Sequence, residues 1–238
     1  MNKNSIISGR RNFIKTVSGG IIGGLTLLNL PAYSKAKYII SNDKIISPDD
    51  ENFWGLVKSQ FPITKHMIWM NNGTMGPSPY AVQEAMFIKE TEANSTGDYG
   101  GYDSVRAKLA KMINCETDEI SLTQNVTNGI NIIAQGIKLK KGDEVILTTH
   151  EHIGNAVPWM ARAKKDGIIL KFAEIGKDAN DMLNKINDVI TKKTKVIAVP
   201  HQTCTQGQVL PAKEITKLGH DKGLWVMLDA AHPVGQFP

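Results

Sequence analysis

Four of the chain's six histidines, His150, His152, His201 and His232, follow short apolar runs rich in β-branched residues. They lie in Thr149-His150-Glu151-His152, in Pro200-His201-Gln202-Thr203-Cys204-Thr205, and in Asp229-Ala230-Ala231-His232. Imidazoles in such places serve as metal ligands or, more commonly, as buried, hydrogen-bonded core residues. His150, His152 and His201 together have the composition of a zinc-hydrolase site, although neither the HExxH nor the HxHxDH spacing accompanies them. Asp229 closes the apolar run Leu224-Trp225-Val226-Met227-Leu228. A carboxylate at the mouth of such a run needs a cationic or hydrogen-bonding partner. A protonated ring nitrogen meets that need, and capping of the following segment is an equal alternative. Gln124-Asn125-Val126-Thr127-Asn128-Gly129 reads as a helix start. Its free amides and the Thr127 hydroxyl suit a phosphate, and an ordinary helix cap is the commoner role for these residues. Neither GxxxxGK[ST] nor GxGxxG occurs, so the sequence supports neither an ATPase loop nor a dinucleotide fold.

The elements that position these groups alternate along the chain. Apolar spacing predicts helices over 78–93, with Ala81, Ala85 and Ile88 on one stripe, and over 102–113, with Val105, Leu109, Met112 and Ile113 on one face. A third covers 126–137, with Ile130, Ile133, Ala134 and Ile137 inward, and others cover 156–165, 181–190 and 212–221. Strands are expected at 119–123, 145–147, 168–172, 196–199 and 224–228, and residues 37–62 read as irregular. Strands alternating with helices of this length build βαβ units, hence an α/β fold with a mostly parallel sheet and flanking helices. In such sheets chemistry collects outside the carboxyl ends of the strands, where the histidines and Asp229 fall.

Composition narrows the function classes. The chain has 238 residues, 41% of them hydrophobic, which is enough apolar material for a core. Two cysteines, Cys115 and Cys204, are too few for a disulfide scaffold or a CxxC metal site. The formal charge of +5 comes wholly from residues 1–36, which hold Lys3, Arg10, Arg11, Lys15 and Lys35 and no acid. The rest of the chain is formally neutral, so global charge gives no case for a nucleic-acid partner. Gly9-Arg10-Arg11-Asn12-Phe13-Ile14-Lys15, followed by an apolar, glycine-rich stretch from Val17 to Leu30, resembles a bacterial twin-arginine export signal. That stretch is shorter than the ~20 residues of a spanning helix. Small residues at Ala32, Ser34 and Ala36 suit cleavage, and an uncleaved anchor is the alternative. The expected organisation is a signal over 1–36, an N-terminal segment over 37–68, and an α/β domain over 69–238, incomplete at the C-terminus. The expected destination is outside the cytoplasm, periplasmic or membrane-associated, by way of the twin-arginine export machinery.

The order of these features resembles fold-type I pyridoxal-phosphate enzymes, and more narrowly the class V aminotransferase group with its cysteine desulfurases and isopenicillin N epimerase-like proteins. The resemblance runs from about Trp69 to Pro238. It is carried by Met70-Asn71-Asn72-Gly73-Thr74-Met75-Gly76-Pro77, Gly101-Tyr102-Asp103-Ser104-Val105-Arg106, Thr123-Gln124-Asn125-Val126-Thr127-Asn128-Gly129, Glu151-His152-Ile153-Gly154-Asn155 and His201-Gln202-Thr203-Cys204-Thr205-Gln206-Gly207. It implies pyridoxal 5'-phosphate as cofactor, its phosphate held by Val126 and Thr127. It further implies His152 stacked on the pyridine face, Asp229 paired with the ring nitrogen, and His232 near the phenolic oxygen. His201 and Thr203 would lie near the substrate or the ring edge.

Cys204 stands where desulfurases commonly have Asn, and Thr203-Cys204-Thr205 looks more like the epimerase-like branch. The resemblance therefore implies epimerisation or amino transfer at Cα of an amino acid, with desulfuration or another lyase reaction second. A homodimer is the expected assembly. No lysine follows Asp229 in the chain, whereas the family's covalent cofactor lysine comes after that motif. The chain is thus expected to be an N-terminal part of a longer enzyme, incomplete at its C-terminus and without turnover by itself.

Overall fold

The computed structural model of the chain describes residues 49–64, 66–70, 72 and 76–236. The expected signal lies outside the described residues, as do Asn71 and residues 73–75 of the motif that opens at Met70. Among the described residues no helix is long and apolar enough to cross a membrane. The chain divides into two compact units, one up to Gly100 and one from Gly101 onward.

The first unit carries α1 (Glu51–Ser59) and α2 (Tyr80–Thr96). Helix α1 corrects the expectation that 37–62 is irregular. The Asp50 carboxylate accepts the Asn52 amide at 2.9 Å, Glu51 sits in the first turn and Lys58 in the last. Cap and charges together favour a helix where apolar periodicity is weak. Helix α2 stops at Gly97, whose φ of 71° is one that L side chains rarely adopt. None of its residues is buried, so the Ala81, Ala85 and Ile88 stripe is not a core face among the described residues.

The second unit holds α3 (Asp103–Ile113), α4 (Val126–Gly136), β1 (Glu144–Thr148), α5 (Ile153–Asp166) and β2 (Ile169–Ala173). It continues with α6 (Ala179–Val189), β3 (Thr194–Pro200), α7 (Ala212–Asp221) and β4 (Trp225–Asp229). The four strands form one sheet in the order β2-β1-β3-β4, every pair parallel. Each of the four expected strands after residue 140 is present, shifted at its ends by a residue or two. The fifth is not. Thr117–Glu119 forms a 3-10 turn with a Glu116/Glu119 capping box, and 120–123 is not a strand. Arg106 of α3 donates to the carbonyls of Ile120 at 3.0 Å and Thr117 at 2.8 Å. A guanidinium thus satisfies polar backbone that a strand would offer to a neighbour.

Residues alternate between two apolar layers. Val145, Leu147, Val196, Ala198 and Met227 pack with Ile130 and Ala134 of α4 and Trp159 of α5. Ile146, Ala173, Ile197 and Val199 face Met182 and Ile186 of α6 and Ile215 of α7. Helices therefore cover both faces, and all five residues of β1 are buried. Ile130 and Ala134 turn inward as expected, whereas Ile133 stays 44% exposed. On α3 it is Ala110 that is buried, while Val105, Met112 and Ile113 remain exposed. Helical spacing names a face, but another layer has to cover it.

One buried guanidinium fastens α5 to α4. Arg162, 5% exposed, donates to the carbonyls of Ala134 and Ile137 at the end of α4 and pairs with Asp166. Those carbonyls have no partner within their own helix. Replacing Arg162 by Ala leaves them buried and unsatisfied, and urea unfolding should show a loss on the order of 3 kcal/mol. An unfolding midpoint equal to that of the wild type would contradict this account of the clamp.

Candidate functional site

The direction in which successive strands are added reverses between the two central strands of the sheet. β1 leads through α5 to β2 on one side, while β3 leads through α7 to β4 on the other. Their carboxyl ends thus open a crevice at the topological switch point, the usual place for a ligand in such sheets. The segments that follow β1, β3 and β4, together with the start of α4, carry the candidate residues.

At the start of α4, the Asn125 side chain caps the helix by accepting the Asn128 amide at 2.9 Å. The Val126 and Thr127 amides make no hydrogen bond among the described residues, so the first turn presents free donors beside the Thr127 hydroxyl. That hydroxyl lies against the start of α5. A Cβ built on Gly154 would sit 2.5 Å from Thr127 Oγ1 and 3.0 Å from His152 Nδ1. Only glycine allows this approach. His152 is the N-cap of α5, its Nδ1 accepting the Gly154 amide at 3.0 Å. Helix α5 therefore begins at Ile153 rather than at the expected 156. The fold thus brings Thr127 and His152, 25 positions apart in sequence, to one glycine.

Asp229, 6% exposed, ends β4 opposite Pro200 of β3. Its Oδ1 accepts the Ala231 amide at 3.1 Å, the local turn that sequence also allowed, and Oδ2 makes no hydrogen bond among the described residues. His201 donates its amide to the Asp229 carbonyl at 2.9 Å, and its own carbonyl accepts the Leu210 amide at 2.8 Å. The side chains of His201 and His232 are half-buried. Thr203 is 1% exposed, and its hydroxyl accepts the Gln208 amide at 3.1 Å, closing the loop that holds exposed Cys204. A cleft of about 750 Å³ lies beside His201, between Met112–Asn114 and the turn at Pro233, and is lined by no other candidate residue.

The three-histidine zinc site does not form. Among the described residues no three His, Cys, Asp or Glu side chains are grouped to hold a metal. His152 Nδ1 is committed to the helix cap. His150 instead joins a chain of polar groups across the sheet end. Thr149 Oγ1 donates to Glu174 at 3.2 Å, so it accepts from His150 Nδ1 at 3.1 Å. His150 Nε2 then accepts from the Gln206 side-chain Nε2 at 2.9 Å.

Residues to which sequence reasoning assigned no role complete the corner. Glu151 accepts the Thr148 amide at 2.8 Å and the Thr148 hydroxyl at 2.7 Å, and Asn155 donates to its other oxygen at 2.7 Å. Burial pushes the Glu151 carboxyl above its ordinary range, and the neighbouring Asp229 charge adds to the push. The hydrogen bonds from Thr148 and Asn155 oppose it without cancelling it. The stretch Glu151-His152-Ile153-Gly154-Asn155 held this signal, but only His152 was read as chemical.

Residues 83–238 match the family described as Aminotransferase class-V, and the chain belongs to that family. It is 33% identical over 202 residues to a probable cysteine desulfurase of Synechocystis sp., covering 76% of this chain and 48% of that protein. A probable cysteine desulfurase of Pyrococcus abyssi is 32% identical, covering 75% of this chain and 47% of that protein. Among solved structures, the complex of the cystine C-S lyase C-DES with its reaction product cysteine persulfide superposes with a TM-score of 0.69 at 26% identity. That match covers 75% of this chain and 51% of the other. The chain spans about half the length of the curated relatives it matches.

A raised carboxyl binds its proton more tightly in the folded state than in the unfolded chain. Its stabilising contribution is thus full below the unfolded value and is lost as pH rises through the higher folded value. Denaturant unfolding from pH 4 upward should show this loss in the wild type relative to Glu151→Gln, which has no proton to release there. Parallel pH profiles for the two proteins would refute the assigned direction.

Proposed function

We propose that this member of the aminotransferase class-V family holds pyridoxal 5'-phosphate and serves a reaction that cleaves a carbon–sulfur bond of cysteine or cystine. The observation that carries the reading is the meeting of Thr127 and His152 at Gly154, where the absent Cβ keeps a cradle open. The donor set suits the cofactor. Free amides at a helix N-terminus and a hydroxyl attract a phosphate. Asp229, buried and with one oxygen free of protein donors, suits a protonated ring nitrogen.

When bound, the cofactor supplies an electron sink for charge that develops at the substrate Cα. This chain's own residues would bind and orient it. Val126 and Thr127 hold the phosphate, and His152 covers one ring face. Asp229 keeps the proton on the ring nitrogen, since a buried carboxylate stabilises the cation beside it. His232 is assigned to the ring's phenolic oxygen and His201 to the substrate side. Thr203 contributes by shaping its loop, because its hydroxyl is engaged with the Gln208 amide.

The expectation from Thr203-Cys204-Thr205 put epimerisation or amino transfer first. The names of the relatives favour the sulfur chemistry over it. An amino-acid substrate is common to both. The proposal keeps the homodimer, which rests on family membership, and twin-arginine export, which rests on Arg10-Arg11 and the apolar stretch behind them.

Equilibrium dialysis of the purified chain against pyridoxal 5'-phosphate should give saturable uptake of one cofactor per chain. Asp229→Ala removes the ring-nitrogen partner, and Gly154→Val fills the cradle. Each should weaken uptake roughly tenfold or more, the size of one lost charge-assisted contact. Uptake unchanged by both substitutions would sink the assignment. The reaction is then assayed on the protein at its natural length with cysteine and cystine. Amino transfer without release of sulfide or persulfide would return the epimerase-or-aminotransferase reading to first place.

A further inference from the structure

Glu151 has no cofactor contact in the proposed function, yet it anchors the loop that presents His152. On one side it binds Thr148, the last residue of β1, through both amide and hydroxyl at 2.8 and 2.7 Å. On the other it binds Asn155, fully buried in the first turn of α5, at 2.7 Å. Asn155 Nδ2 also reaches the Ala198 carbonyl in β3 at 3.3 Å. His152 lies between these two attachments, and its Nδ1 accepts the Gly154 amide at 3.0 Å. The ring therefore projects from a segment pinned to two strands within four residues.

The donors and acceptors of this corner do not balance. Both Glu151 oxygens, Asn155 Oδ1 and the Ala198 carbonyl are acceptors, and the donors are the Thr148 amide, the Thr148 hydroxyl and Asn155 Nδ2. Asn155 Oδ1 is buried with no hydrogen-bond partner. A buried amide oxygen in that state costs free energy, so the corner has room for one more donor. With the Asn155 amide turned so that Oδ1 faces position 151, a carboxyl proton on Glu151 provides it, and so does the amide of a glutamine there.

We propose that Glu151 is a positioning residue of the cofactor site, fixing the His152 ring through its bonds to Thr148 and Asn155. The inference rests on the cofactor reading above and adds a residue to it. Glu151 touches neither cofactor nor substrate. It acts by setting where His152 stands, so its loss should be felt only while the imidazole is present.

Two measurements separate this inference from the reading beneath it. The first needs no cofactor: the ring-nitrogen NMR signals of His152 in the unliganded chain. Glu151→Ala should move Nδ1 toward a free imidazole, and Glu151→Gln should leave it in place because its amide keeps the corner closed. The second is cofactor affinity by equilibrium dialysis. Glu151→Ala should weaken pyridoxal 5'-phosphate binding roughly tenfold, and Glu151→Gln should restore it. In a His152→Ala background the same change should have no further effect, because the two residues act as one unit. Melting curves report which variants are folded. If Glu151→Ala does not fold, Asn155→Asp sets two acceptors against each other, and the pair Glu151→Gln with Asn155→Asp should rescue it. An unmoved His152 signal with unchanged affinity, or losses that add in the double variant, would overturn the proposal. A wild-type chain that takes up no cofactor while the His152 signal still responds would remove the cofactor reading and leave the ring's positioning standing.

Discussion

Three donors converge on the Glu151 carboxyl, and through them the end of β1, the first turn of α5 and the middle of β3 become one corner. Much of the crevice is built outward from there. β1 is buried along its whole length, so a loop leaving it has little freedom except at its exit. Glu151 binds at that exit. The next residue is His152, and two further on is Gly154, whose missing side chain admits the Thr127 hydroxyl. A shift of this corner would move the cap of α5, the aromatic ring and the donors of α4 together.

The corner matters because the sheet places it at the switch point. Crossing from β2 back past β1 to β3 leaves α4 and α5 on one face of the sheet and α6 and α7 on the other. Past the carboxyl ends of the two central strands His152 is exposed and His201 half-buried. Asp229 arrives beside them because β4 pairs with β3 in register, Pro200 opposite Asp229. Burial then raises the Glu151 carboxyl and leaves Asp229 6% exposed, so two acidic groups share one desolvated mouth. A cationic ring nitrogen relieves that arrangement, which makes the cofactor reading an electrostatic statement as well as a family one.

Much of the sheet was legible in the sequence, for a definite reason. Strands covered on both faces read as continuous apolar runs, and runs such as Val145-Ile146-Leu147 have no competing interpretation at that length. Weakly apolar segments were harder. α1 is held by its Asp50 cap and its terminal charges, and in 119–123 the Ile120 carbonyl is taken by Arg106 instead of by a neighbouring strand. Neither effect appears in a count of apolar positions. The candidate site divides in the same way. Thr127, His152 and Asp229 stand out through residue type and place, whereas Glu151 and Asn155 gain meaning only from partners. Asn155 meets Ala198 across 43 residues.

The sequence by itself determined the alternation of strand and helix, the family, and the residue types waiting at each strand end. These follow from local patterning, in which a residue's neighbours along the chain carry the information. Only the tertiary structure decided which strand ends lie side by side, that Gly154 is the meeting point of Thr127 and His152, and that the histidines do not gather around a metal. Those outcomes depend on the crossover that sets β3 beside β1, on the side away from β2. Distances between residues far apart in the chain are set there, by burial of both sheet faces at once, and no local pattern encodes them.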